Sequence, residues 1–195
     1  MRVIASLLAL TLAACGSVAP PDAPPQPTPP PAVATEGLIP VVVTAKLPFS
    51  LEEARAFAEA NSITDFMEPS GDIAKPVGFA YLEGEWPNPG AVRRVELSDG
   101  HYVIERITGN EPELFTYQIW VFTNELRRGL EQVVGIQRFT ETAEGTTDFH
   151  WTYGLKPKGP LTAFFVRRQV PDVQTYLQTA VDGWAEEAER QAAGE

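Results

Sequence analysis

Arg93 and Glu105 stand among β-branched residues in the stretch PGAVRRVELSDGHYVIERI, residues 89–107. A cation and a carboxylate on one apolar sheet face can hold the polar end of a ligand, supply a general acid or base, or simply pair. Hairpin register decides whether they meet. A two-residue turn at Asp99-Gly100 sets Arg94 opposite Glu105 but Arg93 opposite Arg106, a like-charge contact that destabilises. A three-residue loop, Ser98-Asp99-Gly100, puts Gly100 in the left-handed position and changes every partner. Leu97 then meets His101, Val95 meets Val103, and Arg93 meets Glu105. This second register is the expected one. It leaves Glu96, Arg94 and Arg106 on the other, solvent-like face. Desolvating two ions costs several kcal/mol, so a pair kept among Val95, Leu97, Val103 and Ile107 points to a wet cavity or a specificity role. The plain alternative is a half-solvated pair at the sheet margin.

Other chemistry is sparse. The two histidines, His101 at the hairpin turn and His150 on the face opposite Trp151, have neither HxH nor HExxH spacing, so no metal is expected. No GxSxG elbow, phosphate-cradling glycine loop or dinucleotide fingerprint occurs, and no cofactor is expected. Glu105 could act as a general acid or base if burial raises its pKa, but Arg93 opposite favours the carboxylate.

The chain begins MRVIASLLALTLAACG: Arg2, an apolar run too short to span a bilayer, then Cys15. The ending LAAC resembles the lipobox of bacterial lipoproteins. On that reading residues 1–14 are a signal peptide, and Cys15 becomes the acylated first residue, anchoring the chain to a membrane. Cys15 is the only cysteine, so no disulfide or thiolate metal site can form. Gly16 after the cysteine implies the outer membrane facing the periplasm. Residues 17–36 hold eight of eighteen prolines and few bulky side chains. They read as an extended tether (15–37 with the lipidated cysteine) spanning up to roughly 60 Å at ~3.1 Å per residue. With 15 basic and 26 acidic residues, the chain is as a whole not suited to nucleic acid or to anionic membrane surfaces.

Residues 38–195 are long enough for one domain with its own core. LIPVVVTAKL (38–47) reads as a strand. FSLEEARAFAEA carries a capping box, Ser50 with Glu53, and an apolar face of Leu51, Ala54, Phe57 and Ala58. A second short helix is expected around 63–67. Six strands follow from Val77, separated by turn residues as in an antiparallel meander. NELRRGLEQ (124–132) fits either a loop or a helical turn. Val173, Tyr176, Leu177, Ala180, Val181, Trp184 and Ala188 form one stripe of a long terminal helix. Pro171 leaves 161–169 as either a separate helical piece or part of one kinked helix. This order is α+β, a curved sheet on one helix. Phe149, Trp151, Tyr153 and Leu155 share a strand face, as do Phe115, Tyr117, Ile119 and Val121. Opposite Tyr176, Leu177 and Trp184 they make a mainly aromatic interior with polar handles.

Gly90, Arg93, Gly100, Glu105, Thr147 and Trp151, in this order, resemble the pattern of the START-like (SRPBCC) superfamily, with its polyketide cyclase/dehydrase, lipid-transport and pollen-allergen-like members. The Trp that this pattern places near the first helix is missing here. The resemblance implies a helix-grip fold: about seven antiparallel strands curved around the terminal helix, two short helices after the first strand, and a hydrophobic cavity between sheet and helix. The expected function is a membrane-tethered carrier of a hydrophobic or amphipathic, lipid-like small molecule. Arg93, Val95, Glu105, Tyr117, Trp151, Tyr153, Tyr176 and Trp184 would line its site. The alternatives are a cyclase- or lyase-type enzyme using Glu105, and an envelope interaction protein with a collapsed cavity.

Overall fold

The protein is described by a computed structural model covering residues 18–194. The expected signal peptide 1–14 and Cys15 lie outside the described residues. The rest is the α+β fold that the pattern implies. Seven strands, β1 (Ile39–Leu47), β2 (Pro76–Glu83), β3 (Val92–Leu97), β4 (Tyr102–Glu111), β5 (Leu114–Phe122), β6 (Leu130–Glu141) and β7 (Thr147–Pro157), form one antiparallel sheet in the order β1-β7-β6-β5-β4-β3-β2. The helices are α1 (Leu51–Ala60), a single turn α2 (Leu126–Gly129) within the unassigned NELRRGLEQ stretch, and α3 (Pro160–Ala193). The second short helix is a 3₁₀ turn over Ile63–Phe66.

Local rules account for most of this. The Ser50–Glu53 capping box is formed on both arms and starts α1, which buries Ala54 and Phe57. Gly100, at φ +79°, closes the three-residue loop, and its amide bonds Leu97 O. In α3 the stripe Tyr176, Leu177, Ala180, Val181, Trp184 and Ala188 is buried against the sheet. The helix runs unbroken through Pro171. That residue is exposed, as is Arg167, whose carbonyl loses its N–H donor there and can take water instead.

Two expectations are corrected. Val121 does not share the face of Phe115, Tyr117 and Ile119. Ile104 pairs with Val121 and Glu105 with Ile119, so Trp120 is an extra residue, a bulge that reverses the alternation. Phe122 takes the concave position, while Val121 joins Val92, Ile104 and Trp120 on the convex face.

The proline-rich stretch is not a free spacer. From Val18 to Glu36 it crosses the convex face as a strap, over β3, β5, β6 and β7. Extended proline-rich backbone has carbonyls with no internal donors, and the sheet supplies them. Arg94 Nη1 donates to Pro25 O (3.1 Å), Trp120 Nε1 to Thr28 O (3.0 Å) and Gln118 Nε2 to Pro31 O (3.2 Å). Gln132 Nε2 donates to Ala32 O (3.1 Å) and Lys156 Nζ to Glu36 O (2.8 Å). Gln118 and Gln132 are fully buried beneath it and bond each other at 2.6 Å. The face expected to be solvent-like, carrying Arg94 and Arg106, is partly roofed. The strap lacks apolar bulk, but side-chain donors replace the burial it cannot provide.

Candidate ligand cavity

Curvature leaves space between the concave sheet face and α3. The cavity and the groove leading to it enclose about 1890 Å³. One end is closed by Trp184, fully buried against Phe57 and Phe149 (ring centroids 5.2 and 5.0 Å), with its Nε1 donating to Asn61 O at 2.8 Å. The lining runs on past Leu126 and Val166 to Val18, Pro20 and Glu125 beside α2, and also to Pro69, Gly71 and Asp72 and to Phe79, Tyr81 and Trp86.

The hairpin has the expected register: Arg93 opposite Glu105, Val95 opposite Val103. Arg93 Nε donates to Glu105 Oε1, with the two side chains 13% and 8% exposed. The pair is interior, not marginal. The arginine is further held by two rings, Phe79 of β2 at 4.2 Å and Trp86 of the following loop at 3.8 Å from its guanidinium carbon. These rings are the missed members of the site. The alternation of Phe79 and Tyr81 in VGFAYLEGEW was the signal available in the sequence. A guanidinium committed to a carboxylate and two aromatic faces is a built wall.

Deeper in, Tyr117, Trp151 and Tyr153 come together. Tyr117 pairs with Gly135, which in turn pairs with Tyr153 across β6. The phenol ring lies over the glycine, where a Cβ would meet Tyr117 Cζ at 2.0 Å. Burial pushes the Tyr117 hydroxyl pKa well up, and neighbouring Tyr153 and Glu105 add to this. Tyr153 is raised too, by burial and then by the Glu105 charge. Tyr176 is pushed up to about 12, by burial first and then by Glu68. All three are therefore neutral phenols at physiological pH, able to donate or accept but not to act as phenolate bases. Trp151 Nε1 is buried facing the Tyr117 hydroxyl, close enough to offset part of the rise in its pKa, but no hydrogen bond of full geometry forms. An orphaned donor on a cavity wall is costly unless something in the cavity accepts from it.

The other expected lining residues divide. Val95 is buried on the cavity wall. Tyr176 borders it, but its hydroxyl donates to Ala74 O at 3.3 Å, tying α3 to the loop after the 3₁₀ turn. Trp184 plugs the closed end and is core. His101 is not at a metal site: its ring contacts Thr123 Oγ1 and Val18 O, both at 3.1 Å. No group of three or more potential metal ligands occurs among the described residues.

No protein-family profile and no curated protein matches the chain in sequence. In structure it is similar to Ara h 8.0201, with a TM-score of 0.52 at 18% identity over 77% of this chain and 99% of that one. Major latex-like protein 151 of Panax ginseng aligns with a TM-score of 0.46 at 15% identity, over 72% and 97% of the two chains. The likeness to Ara h 8.0201 is one of fold, a helix-grip arrangement in which a curved seven-stranded antiparallel sheet holds a long terminal helix. Such distant likeness defines architecture, and chemistry has to come from the site.

Proposed function

We propose that the chain carries a hydrophobic or amphipathic, lipid-like small molecule in the sheet–helix cavity. The observation behind this reading is the open interior itself. Cavity and groove together take in about 1890 Å³, and the inner wall brings Val95, Ile119 and Leu155 together with the Trp151 indole and the neutral phenols of Tyr117 and Tyr153. A ligand with an apolar body and one accepting group, such as a carbonyl or hydroxyl oxygen, complements that wall. Arg93, already engaged by Glu105, Phe79 and Trp86, shapes the wall near the rim rather than offering a free cation. In this reading Cys15 is acylated, and the protein is held at a bacterial envelope membrane, the outer one, facing the periplasm. The strap keeps the domain close to that anchor.

The cyclase-type alternative needs Glu105 free to face a ligand, and its carboxylate is held by Arg93. The collapsed-cavity alternative does not fit the open interior. Native mass spectrometry and organic extraction of the purified full chain test the proposal. A co-purifying amphipathic molecule is expected, with retention lowered about two- to tenfold by Trp151→Phe as one hydrogen bond is lost. A chain that emerges empty and fails to take up offered fatty acid or phospholipid ends the carrier reading. Turnover abolished by Glu105→Gln with binding kept would revive the enzyme.

A further inference from the structure

The first turns of α3 carry three large apolar side chains in the open. Leu161 is 75% exposed, Phe164 56% and Phe165 58%. Their spacing, continued by Arg168, puts them on a stripe roughly opposite buried Val166, so the fold has no use for them. The charge around them is as unusual. From Lys156 to Val170 the chain carries Lys156, Lys158, Arg167 and Arg168 and no carboxylate, in a protein with 26 acidic and 15 basic residues. Arg168 lies 5.7 Å from the Phe164 ring. Glu125, the acidic residue of the adjoining turn, is paired with Arg128.

The position of this patch is informative. Lys158 N donates to Gly129 O, so the start of α3 sits beside α2. Val18 N donates to Glu125 Oε1 at 2.6 Å, at the edge of the same α2. Val18, the first described residue, therefore lies at the end of the domain that bears the patch. Val166, Gln169 and Glu125, beside the patch, also line the cavity groove.

We propose that the N-terminal end of α3 is a membrane-docking surface for an anionic phospholipid bilayer. Leu161, Phe164 and Phe165 enter the headgroup–acyl boundary while Arg167 and Arg168 meet lipid phosphates. Local charge selects this occupant: an apolar protein partner would bury Arg167 and Arg168 without counter-charges, whereas lipid phosphates supply them at a carboxylate-free stretch of an otherwise acidic chain. The docking itself does not depend on what the cavity holds.

Hydroxyl-radical footprinting of the full chain, with vesicles of phosphatidylglycerol or of phosphatidylcholine, reads the contact residue by residue. Oxidation of Phe164 and Phe165 should fall by roughly threefold or more on phosphatidylglycerol and less on phosphatidylcholine. Exposed Tyr81, outside the patch, should be unchanged. The double substitution Arg167→Glu with Arg168→Glu should remove the difference between the two lipids. Vesicle-bound protein whose Phe164 and Phe165 stay fully reactive would overturn the proposal, since attachment would then run through the N-terminal segment alone. Protection without vesicles that grows with protein concentration would overturn it in favour of a second copy. Neither result would touch the carrier reading, which rests on ligand retention.

Discussion

Tyr117 lies across Gly135 of the neighbouring strand, so that a Cβ at position 135 would come within 2.0 Å of the phenol Cζ. The glycine is a hollow in β6 into which one wall of the cavity folds. Gly135→Ala should therefore expel the ring, costing about 1–3 kcal/mol as overpacking does. Urea unfolding checks this. Combining Gly135→Ala with Tyr117→Ala should cost less than the sum of the two singles, because the second change removes what the methyl strikes.

Arg93 and Glu105 should behave as a buried pair. Arg93→Ala strands a carboxylate whose side chain is only 8% exposed, and a loss of about 3 kcal/mol or more is expected. Arg93→Met with Glu105→Leu should recover most of it, because two apolar groups need no desolvation. Unfolding midpoints that stay at wild-type in Arg93→Ala would show the pair to be solvated.

The strap should be part of the folded unit. Gln132→Ala leaves Gln118 Nε2 short of one acceptor and Ala32 O without its donor, for a predicted loss of about 1–3 kcal/mol. Deleting residues 18–35 should expose Val92, Ile104 and Trp120, lower the melting temperature and increase binding of a hydrophobic dye. An unchanged melting temperature after deletion would mean that the strap contributes nothing.

Three of the five tyrosines should resist ionisation. Tyr117, Tyr153 and Tyr176 all have raised pKa values in the folded protein, Tyr176 at about 12, against roughly 10 in the unfolded chain. The folded state then holds more protons than the unfolded state above pH ~10, so stability is flat below that value and falls as pH rises through the window to the folded pKa. Ultraviolet titration of phenolate at pH 11 should find these three protonated, and they should ionise together with unfolding at higher pH.

The hairpin was legible because its determinants are local. Gly100 supplies the one residue suited to the left-handed turn position, and like-charge repulsion rejects the competing register, so the Arg93–Glu105 pairing follows from nineteen consecutive residues. The stripe of α3 and the concave faces of β5 and β7 were legible for the same reason, up to the point where Trp120 bulges out. One inserted residue reverses every later side chain, and nothing in LFTYQIWVF marks where it falls. The Phe79–Arg93–Trp86 stack was out of reach because it joins β2, β3 and a loop, and only the sheet's folding sets their spacing.

The proline segment draws the line most sharply. Its composition determined that it would be extended and poor in apolar surface, and that was correct as local conformation. Whether it stood free or lay on the domain was decided by donors far away in sequence: Gln132 reaches Ala32 across 100 residues and Arg94 reaches Pro25 across 69. Backbone carbonyls without internal partners accept whatever the fold presents. Periodicity and turn chemistry set the elements, whereas the satisfaction of polar groups between elements is settled only when the chain has closed on itself.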